Sequence, residues 1–124
     1  MDPSPGDHSV SIDWLALEKE YVARSRLLHR DGGAACAAFR ELVRATGSDG
    51  ALTHRHKELI ALGIAIATRC EGCIVFHTRA LVRLGASREE ILETIGVAIE
   101  MGGGPASVYG AVALECFDQM KAAS

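Results

Sequence analysis

Residues 58–86 read ELIALGIAIATRCEGCIVFHTRALVRLGA, and they combine the most hydrophobic run of the chain with a group of reactive side chains. The run Leu59–Ala67 is apolar nearly all round, which predicts a helix that is buried on most of its sides. Two thiols, Cys70 and Cys73, follow this run, and His77 comes four residues later. Such a placement is compatible with three kinds of site, namely a disulfide staple, half of a metal site, or a redox centre.

The apolar run and the segment after it can form an antiparallel helical hairpin that turns near Arg69. Glu58 then lies roughly 16 Å down one arm and His77 roughly 12 Å down the other, at about 1.5 Å per residue. Because this difference in height is less than one helical turn, the carboxylate and the imidazole can meet directly or through one water. A buried carboxylate needs such a partner, although an acidic residue in a first turn is also favoured by the helix dipole alone.

The two thiols fall at the predicted start of the fourth helix, near Glu71. A separation of three residues places Cys70 and Cys73 on nearly the same helical face, close enough to form a disulfide. The free N–H groups and the positive end of the helix dipole favour a thiolate over a thiol. His77 lies one turn beyond Cys73 and within reach of a proton exchange with it. These are the components of peroxide reduction, in which one sulfur becomes a sulfenic acid and the other condenses with it to a disulfide.

The alternatives fit the sequence less well. Zinc would find three ligands in Cys70, Cys73 and His77, but a closed site needs four, and no second CxxC or paired histidine accompanies them. His54 and His56 lie at the far end of the proposed hairpin. A disulfide between neighbouring turns closes too small a loop to stabilise the fold much. The sequence therefore favours a redox centre with no metal ion, and it contains no flavin, haem or nucleotide motif that would indicate a cofactor.

The rest of the chain predicts an all-α domain of about six helices, because helix signals recur and no segment shows sustained alternation of period two. Thr53 is a candidate N-cap, Ser87 and Glu90 have the spacing of a capping box, and Pro105 fits a first helical turn. The predicted helices cover about 12–30, 34–46, 54–69, 71–85, 88 to the GGGP break at 102–105, and 105–121. Residues 1–11 are expected to form a flexible lead-in, and residues 12–124 a single domain.

The spacing of apolar residues also predicts which side of each helix is buried. On the first two helices, the residues expected to face the core are Trp14, Leu17, Tyr21, Leu28, Phe39 and Val43. Cys36 and Cys116 are expected to be small core residues as well. Gly47 is expected to end the second helix in a left-handed conformation. The GGGP segment is expected to be a tight turn rather than a phosphate cradle.

Composition excludes several classes of function. The net charge is −3, with both signs interspersed, so the chain has neither a basic stripe for nucleic acid nor a polybasic segment for a membrane. The run of residues 59–67 is too short to span a bilayer. The N-terminal sequence MDPSPGDHSV lacks the pattern of a signal peptide. We therefore expect a cytoplasmic protein, in which cysteines are more often catalytic or metal-binding than structural.

The complete spacing Glu58-x11-Cys70-x2-Cys73-x3-His77 resembles the signature of the alkylhydroperoxidase D-like group within the carboxymuconolactone decarboxylase family. The resemblance extends from about residue 35 to the C-terminus, and REEILETIGVAIEMGGGPASVYGAVALE looks like the region that follows the motif in short, single-module members. It implies an all-helical fold and assembly into trimers or hexamers. It also implies that Cys73 forms the sulfenic acid, that Cys70 is its proton donor and disulfide partner, and that His77 and Glu58 relay protons.

The sequence departs from the group at Glu71 and Gly72, since some of its peroxidases carry a histidine between the cysteines. The chain is also shorter than the two-module peroxidases, so the resemblance does not imply a particular reductant.

Together, the residues and the resemblance predict a thiol-dependent hydroperoxide reductase that uses a hydroperoxide substrate and an unidentified dithiol reductant. The alternatives are a γ-carboxymuconolactone decarboxylase, which has no use for paired thiols, and a non-catalytic, redox-sensing oligomeric module. A homo-oligomer is expected in addition because the third helix is apolar on too many faces for a small domain to cover.

Overall fold

The structure, a computed structural model, describes residues 11–124, which fold into six α-helices. The helices are α1 (Trp14–Asp31), α2 (Gly33–Gly47), α3 (His54–Ala67), α4 (Glu71–Arg83), α5 (Arg88–Gly102) and α6 (Gly104–Ala122). No strand occurs between residues 11 and 124, so the predicted all-α fold is confirmed. The predicted N-terminal lead-in lies, except for Ser11, outside the described residues.

Side chains at the helix starts explain why the predicted boundaries are close to the observed ones. The Thr53 hydroxyl accepts a hydrogen bond from a backbone N–H of the first turn of α3 at 3.1 Å. Ser87 and Glu90 form the predicted capping box at the start of α5. Pro105 lies in the first turn of α6, where its missing N–H leaves no helical hydrogen bond unmade.

The end of α2 differs from the prediction. The helix continues through Gly47, which has no positive φ, and the extended residue Ser48 follows it. Lys57 of α3 donates hydrogen bonds from Nζ to the carbonyl oxygens of Thr46 at 2.9 Å and Ser48 at 2.6 Å. The predicted left-handed Gly47 is therefore wrong, because a lysine from the next helix satisfies these carbonyl groups instead of a glycine turn.

The hydrophobic core lies between α3, α4, α5 and α6, and α1 adds one indole to it. Each large aliphatic side chain buried in this way contributes about 1.5–3 kcal/mol to the free energy of folding. The largest fully buried side chains include Trp14, Leu62, Ile66, Ile74, Leu81, Ile91, Met120 and Phe117. Because α3 contacts α4, α5 and α6, the helix that leads into the CxxC motif is anchored to three neighbouring helices.

The first two helices are less buried than their apolar spacing predicts. Trp14 is buried as expected, but Leu28 on the same helix is exposed. Phe39 of α2 is 59% exposed, Val43 is similarly exposed, and α2 has no buried residue at all. The prediction that Leu28, Phe39 and Val43 lie in the core is therefore wrong within the single chain. The reason is that α2 contacts only α1 and α3 within the described residues, so its apolar face has no partner there.

The third helix also differs from its prediction, since only one side of it is buried. Leu62, Ala65 and Ile66 face the core, whereas Ile60 and Ile64 are exposed.

Among residues 11–124, no helix is both long and apolar enough to cross a membrane.

Candidate redox site

A tight turn between α3 and α4 fixes the position of the first cysteine. Arg69 adopts a left-handed backbone with φ of 58°, a conformation in which glycine is more usual. The Cys70 N–H donates to the carbonyl of Ala65 at 3.0 Å, and the Arg69 N–H donates to that of Ile66 at 3.1 Å. These two bonds are those of a Schellman motif, which ends α3 and delivers Cys70 to the start of α4.

The two cysteines of the motif are joined by a disulfide. Their Cα atoms are 5.2 Å apart, and Cys70 is the N-cap residue of α4. The Cys73 N–H donates to Sγ of Cys70 at 3.3 Å, so a backbone donor of the first helical turn faces this sulfur. The predicted location of the CxxC motif at a helix N-terminus is therefore confirmed, and such a position favours negative charge on sulfur once the disulfide is reduced.

Glu58 and His77 meet directly, which is one of the two arrangements that the hairpin geometry allowed. Nδ1 of His77 lies 2.6 Å from Oε2 of Glu58. The Glu58 side chain is 16% exposed and that of His77 is 34% exposed, so the pair is largely but not fully withdrawn from solvent. A carboxylate can only accept when it is ionised, and in that state Nδ1 would donate this hydrogen bond and Nε2 would be the nitrogen left to exchange a proton.

A second imidazole, which the sequence did not predict here, lies on the other side of the carboxylate. Nε2 of His54 is 4.0 Å from Oε1 of Glu58, and the His54 side chain is 41% exposed. The i,i+4 spacing of these two residues on α3 is the sequence signal that indicates their proximity. His54 is far along α3 from the cysteines, as expected, but it borders the Glu58 carboxylate.

Tyr21 of α1 is the other side chain near the motif that the sequence did not predict. Its hydroxyl donates to Oε1 of Glu71 at 2.6 Å. Its ring covers Gly72, because a Cβ built at that position would lie 3.1 Å from a ring carbon. The hydrogen bond to Glu71, and to a smaller extent burial, raise the pKa of Tyr21. No sequence spacing indicates this contact, because it depends on how α1 packs.

The remaining two cysteines differ in their surroundings. Cys116 is fully buried, and this burial raises the pKa of its thiol to about 12. It therefore stays protonated and unreactive at neutral pH, as expected for a core residue. Cys36 is only partly buried, so its predicted place in the core is wrong, for the same reason that α2 lacks buried residues.

Within the described chain, no group of three or more His, Cys, Asp or Glu side chains is arranged to hold a metal ion.

Residues 31–115 match the sequence model of the carboxymuconolactone decarboxylase family. The chain belongs to the carboxymuconolactone decarboxylase family. A crystal structure of an apo carboxymuconolactone decarboxylase family protein from Legionella pneumophila has the same fold, with a TM-score of 0.83 and 41% sequence identity. That comparison covers 87% of this chain and 96% of the Legionella chain.

Two bacterial relatives of this family member are similar over most of their length. An uncharacterized protein of Cupriavidus necator is 42% identical over 89 residues, which are 72% of this chain and 79% of the relative. An uncharacterized protein encoded in the cox locus of Paracoccus denitrificans is 39% identical over 94 residues, which are 76% of this chain and 85% of the relative. The match to the family model includes the four residues of the spaced motif, whereas α1 up to residue 30 precedes it.

Proposed function

We propose that this member of the carboxymuconolactone decarboxylase family is alkylhydroperoxidase D-like and acts as a thiol-dependent hydroperoxide reductase. The observation that supports this most directly is the CxxC disulfide at the N-terminus of α4, one helical turn from the Glu58–His77 pair. A redox-active dithiol needs two sulfurs that can join without rearrangement, and Cys70 and Cys73 are already joined. It also needs a group that accepts and returns protons, for which the His77–Glu58 pair is suited.

The proposed cycle has three balanced steps. In the first, the Cys73 thiolate attacks the terminal oxygen of a hydroperoxide, forms a sulfenic acid and releases an alkoxide, which takes a proton from Cys70 and leaves as an alcohol. In the second, the Cys70 sulfur attacks the Cys73 sulfenic acid, forms the disulfide and releases water. In the third, a dithiol reductant supplies two electrons and two protons and becomes a disulfide itself. His77 and Glu58 take up and return the proton of Cys73.

The substrate, the electron donor and the location of the protein belong to the same proposal. A hydroperoxide is the substrate and a dithiol of unidentified structure is the electron donor. We propose a cytoplasmic location, because the cytosol keeps thiols reduced and so can return the disulfide to the dithiol form.

The proposal is tested by peroxide consumption in the presence of dithiothreitol. Cys73→Ser is expected to abolish turnover, because serine cannot form a sulfenic acid. Cys36→Ser is the matched control, since it removes a partly buried free thiol outside the motif, and it should leave the rate unchanged. Hydrogen peroxide and cumene hydroperoxide are the two probes, and the remaining peroxide is measured over time.

Three outcomes contradict the proposal or change its class. Undiminished turnover by Cys73→Ser would show that another group reduces the peroxide. Decarboxylation of γ-carboxymuconolactone that survives loss of both motif cysteines would favour the activity for which the family is named. An oligomer that changes size between the oxidised and reduced forms, without peroxide turnover, would favour a redox sensor.

A further inference from the structure

The side chain of Tyr21 lies across the first turn of α4, where the CxxC motif begins. Its hydroxyl donates to Glu71 at 2.6 Å, and its ring packs over Gly72. Both residues lie between the two cysteines, so Tyr21 contacts the whole intervening dipeptide. The ring is also 6.3 Å, centroid to centroid, from that of Phe76 in an edge-to-face arrangement. Tyr21 is therefore held in place by several contacts and is not a mobile surface side chain.

The fit of the ring depends on the absence of a side chain at position 72. A Cβ at Gly72 would lie 3.1 and 3.3 Å from two carbons of the Tyr21 ring, which is closer than most such contacts. A Cβ at this position would require the ring to shift by a few tenths of an ångström. Gly72, which is a departure from some peroxidases of the alkylhydroperoxidase D-like group, thus allows the Tyr21 ring to approach the motif closely.

Glu71 lies between the two cysteines in the sequence, so an ionised carboxylate there repels negative charge on either sulfur. A disulfide is neutral, but a reduced motif that contains a thiolate carries a negative charge at the same helical turn. That charge is favoured by the N–H that faces Cys70 and disfavoured by the carboxylate of Glu71. A hydroxyl that donates to the carboxylate withdraws part of its charge and holds it on the side of α1. The Tyr21 hydroxyl therefore lowers the repulsion that the reduced state would otherwise meet.

Other charged groups near the turn also influence how strongly negative charge on the sulfurs is favoured. Arg24 of α1 places its guanidinium 5.3 Å from the centroid of the Tyr21 ring. Glu20, also on α1, acts on the Tyr21 hydroxyl electrostatically, and Arg69 immediately precedes the motif. The Glu58 carboxylate is hydrogen-bonded to His77. Only Tyr21 makes a hydrogen bond to the Glu71 carboxylate among the described residues, so it is the group whose removal should change that carboxylate most.

We propose that Tyr21 is a positioning residue of the redox centre, which holds the Glu71 carboxylate so that the dithiol form of the CxxC motif is stabilised relative to the disulfide. Tyr21 acts through Glu71 and does not touch the reacting sulfur atoms in this role. This proposal rests on the redox use of Cys70 and Cys73 in the proposed function, but it concerns the equilibrium between their two states and not the reaction with peroxide.

The test is the equilibrium of the purified protein with dithiothreitol at neutral pH. Reduced dithiothreitol gives two electrons and two protons to the protein disulfide, which becomes a dithiol while dithiothreitol becomes its cyclic disulfide. The fraction of reduced protein is read by alkylation and mass spectrometry. Tyr21→Phe keeps the ring on Gly72 and removes the hydroxyl, and it should lower the equilibrium constant for reduction about threefold to tenfold. Tenfold corresponds to about 30 mV for a two-electron couple.

A double-mutant cycle separates this role from a merely structural one. Glu71→Gln should raise the equilibrium constant by a similar factor, because it removes the repelling carboxylate. In the Glu71→Gln background, Tyr21→Phe should then have little further effect. Tyr109→Phe is the matched control, since it removes the hydroxyl of the only other tyrosine, and it should leave the equilibrium constant unchanged.

The possible results distinguish this inference from the proposed function. An unchanged constant in Tyr21→Phe, or equal effects of Tyr21→Phe with and without Glu71, would overturn the role of the hydroxyl. If Tyr21→Phe does not fold, Glu71→Gln alone remains decisive, because a constant that does not rise contradicts the proposed repulsion. The expected shifts in a protein that shows no peroxide turnover would keep this inference and remove the proposed function.

Discussion

Glu58 is a carboxylate that lies between two imidazoles at the start of an apolar helix. It is 2.6 Å from His77 and 4.0 Å from His54. In the proposed cycle it shares, through His77, the proton that Cys73 releases. Glu58→Gln should therefore slow the reaction of the reduced protein with peroxide by about 10²- to 10⁴-fold, the usual contribution of a general base. Stopped-flow measurement of the reduced protein mixed with hydrogen peroxide gives this rate.

The same substitution should leave disulfide formation by a chemical oxidant intact, because Glu58 does not contribute a sulfur. Glu100→Gln is a suitable control, since Glu100 is an exposed carboxylate on α5. A Glu58→Gln protein that reacts with peroxide as fast as the unaltered protein would remove Glu58 from the proton relay.

The residues of the site differ in how far the sequence could predict them. Glu58 and His77 could be paired because the helical rise fixes their heights on two arms of one hairpin. The contact between Tyr21 and Glu71 joins residues 50 positions apart, and it depends on the direction in which α1 leaves the core. His54 is intermediate, because its i,i+4 spacing to Glu58 is visible in the sequence but becomes informative only once Glu58 is known to bind His77.

At the scale of elements, α1 is attached to the rest of the fold at three points along its length. Near its start, the indole of Trp14 donates to Glu115 of α6 at 2.6 Å. One turn later, Glu18 accepts two hydrogen bonds from Arg79 of α4, at 2.7 and 2.8 Å. Tyr21 then reaches the start of α4. Because these contacts follow one another along the helix, weakening the central ion pair should loosen the segment that covers the CxxC motif.

The Glu18–Arg79 ion pair predicts how stability depends on pH. The hydrogen bonds from Arg79 lower the pKa of Glu18, although partial burial opposes this shift. A carboxyl whose pKa is lower in the folded state stabilises the fold above its unfolded pKa of about 4.3, and this contribution is lost as pH falls through the folded pKa. The free energy of unfolding should therefore decrease below about pH 4. The free energy of unfolding of the Glu18→Gln variant should decrease less over the same range.

At neutral pH, Glu18→Gln should lower the free energy of unfolding by about 1–3 kcal/mol, because it leaves a mostly buried guanidinium without its carboxylate. Urea unfolding followed by circular dichroism at several pH values measures both effects. Glu41→Gln is the control, since it breaks the exposed pair with Arg44 and should change little. Equal pH dependence in the Glu18→Gln and unaltered proteins would show that this pair does not contribute to acid unfolding.

The sequence predicts where a helix starts when a local capping signal is present. It does not predict how the helices pack against one another. Thr53 and the Ser87–Glu90 box begin α3 and α5 as predicted, since a cap involves only neighbouring residues. The buried side of α2 was predicted wrongly because an apolar stripe shows that a helix has a face to cover but not what covers it. Phe39 and Val43 are on such a face, and nothing in the described chain packs over it.

At the scale of the whole molecule, apolar surface is exposed in at least two places among residues 11–124. One is the face of α2 just described. Another is a groove of about 520 Å³ between α3 and α5, whose exposed apolar residues are Ile60, Ile64, Val97 and Met101. Monomeric proteins seldom leave contiguous apolar surface of this kind in water. The outward side of α3, which the sequence predicted to be apolar, therefore supports the expected self-association, and the groove is the surface on which we propose that subunits meet.

This proposal predicts a mass in solution that is a multiple of 13.2 kDa, with a trimer or a hexamer expected. Val97→Glu places a charge in the groove, where burial against another subunit without a partner would be costly, and it should shift the protein toward the monomer. Val43→Glu places the same charge on the face of α2 and serves as the matched comparison. Light scattering coupled to size exclusion measures both variants at equal concentration. Dissociation by Val43→Glu alone would move the interface to α2, and a monomeric unaltered protein would contradict self-association altogether.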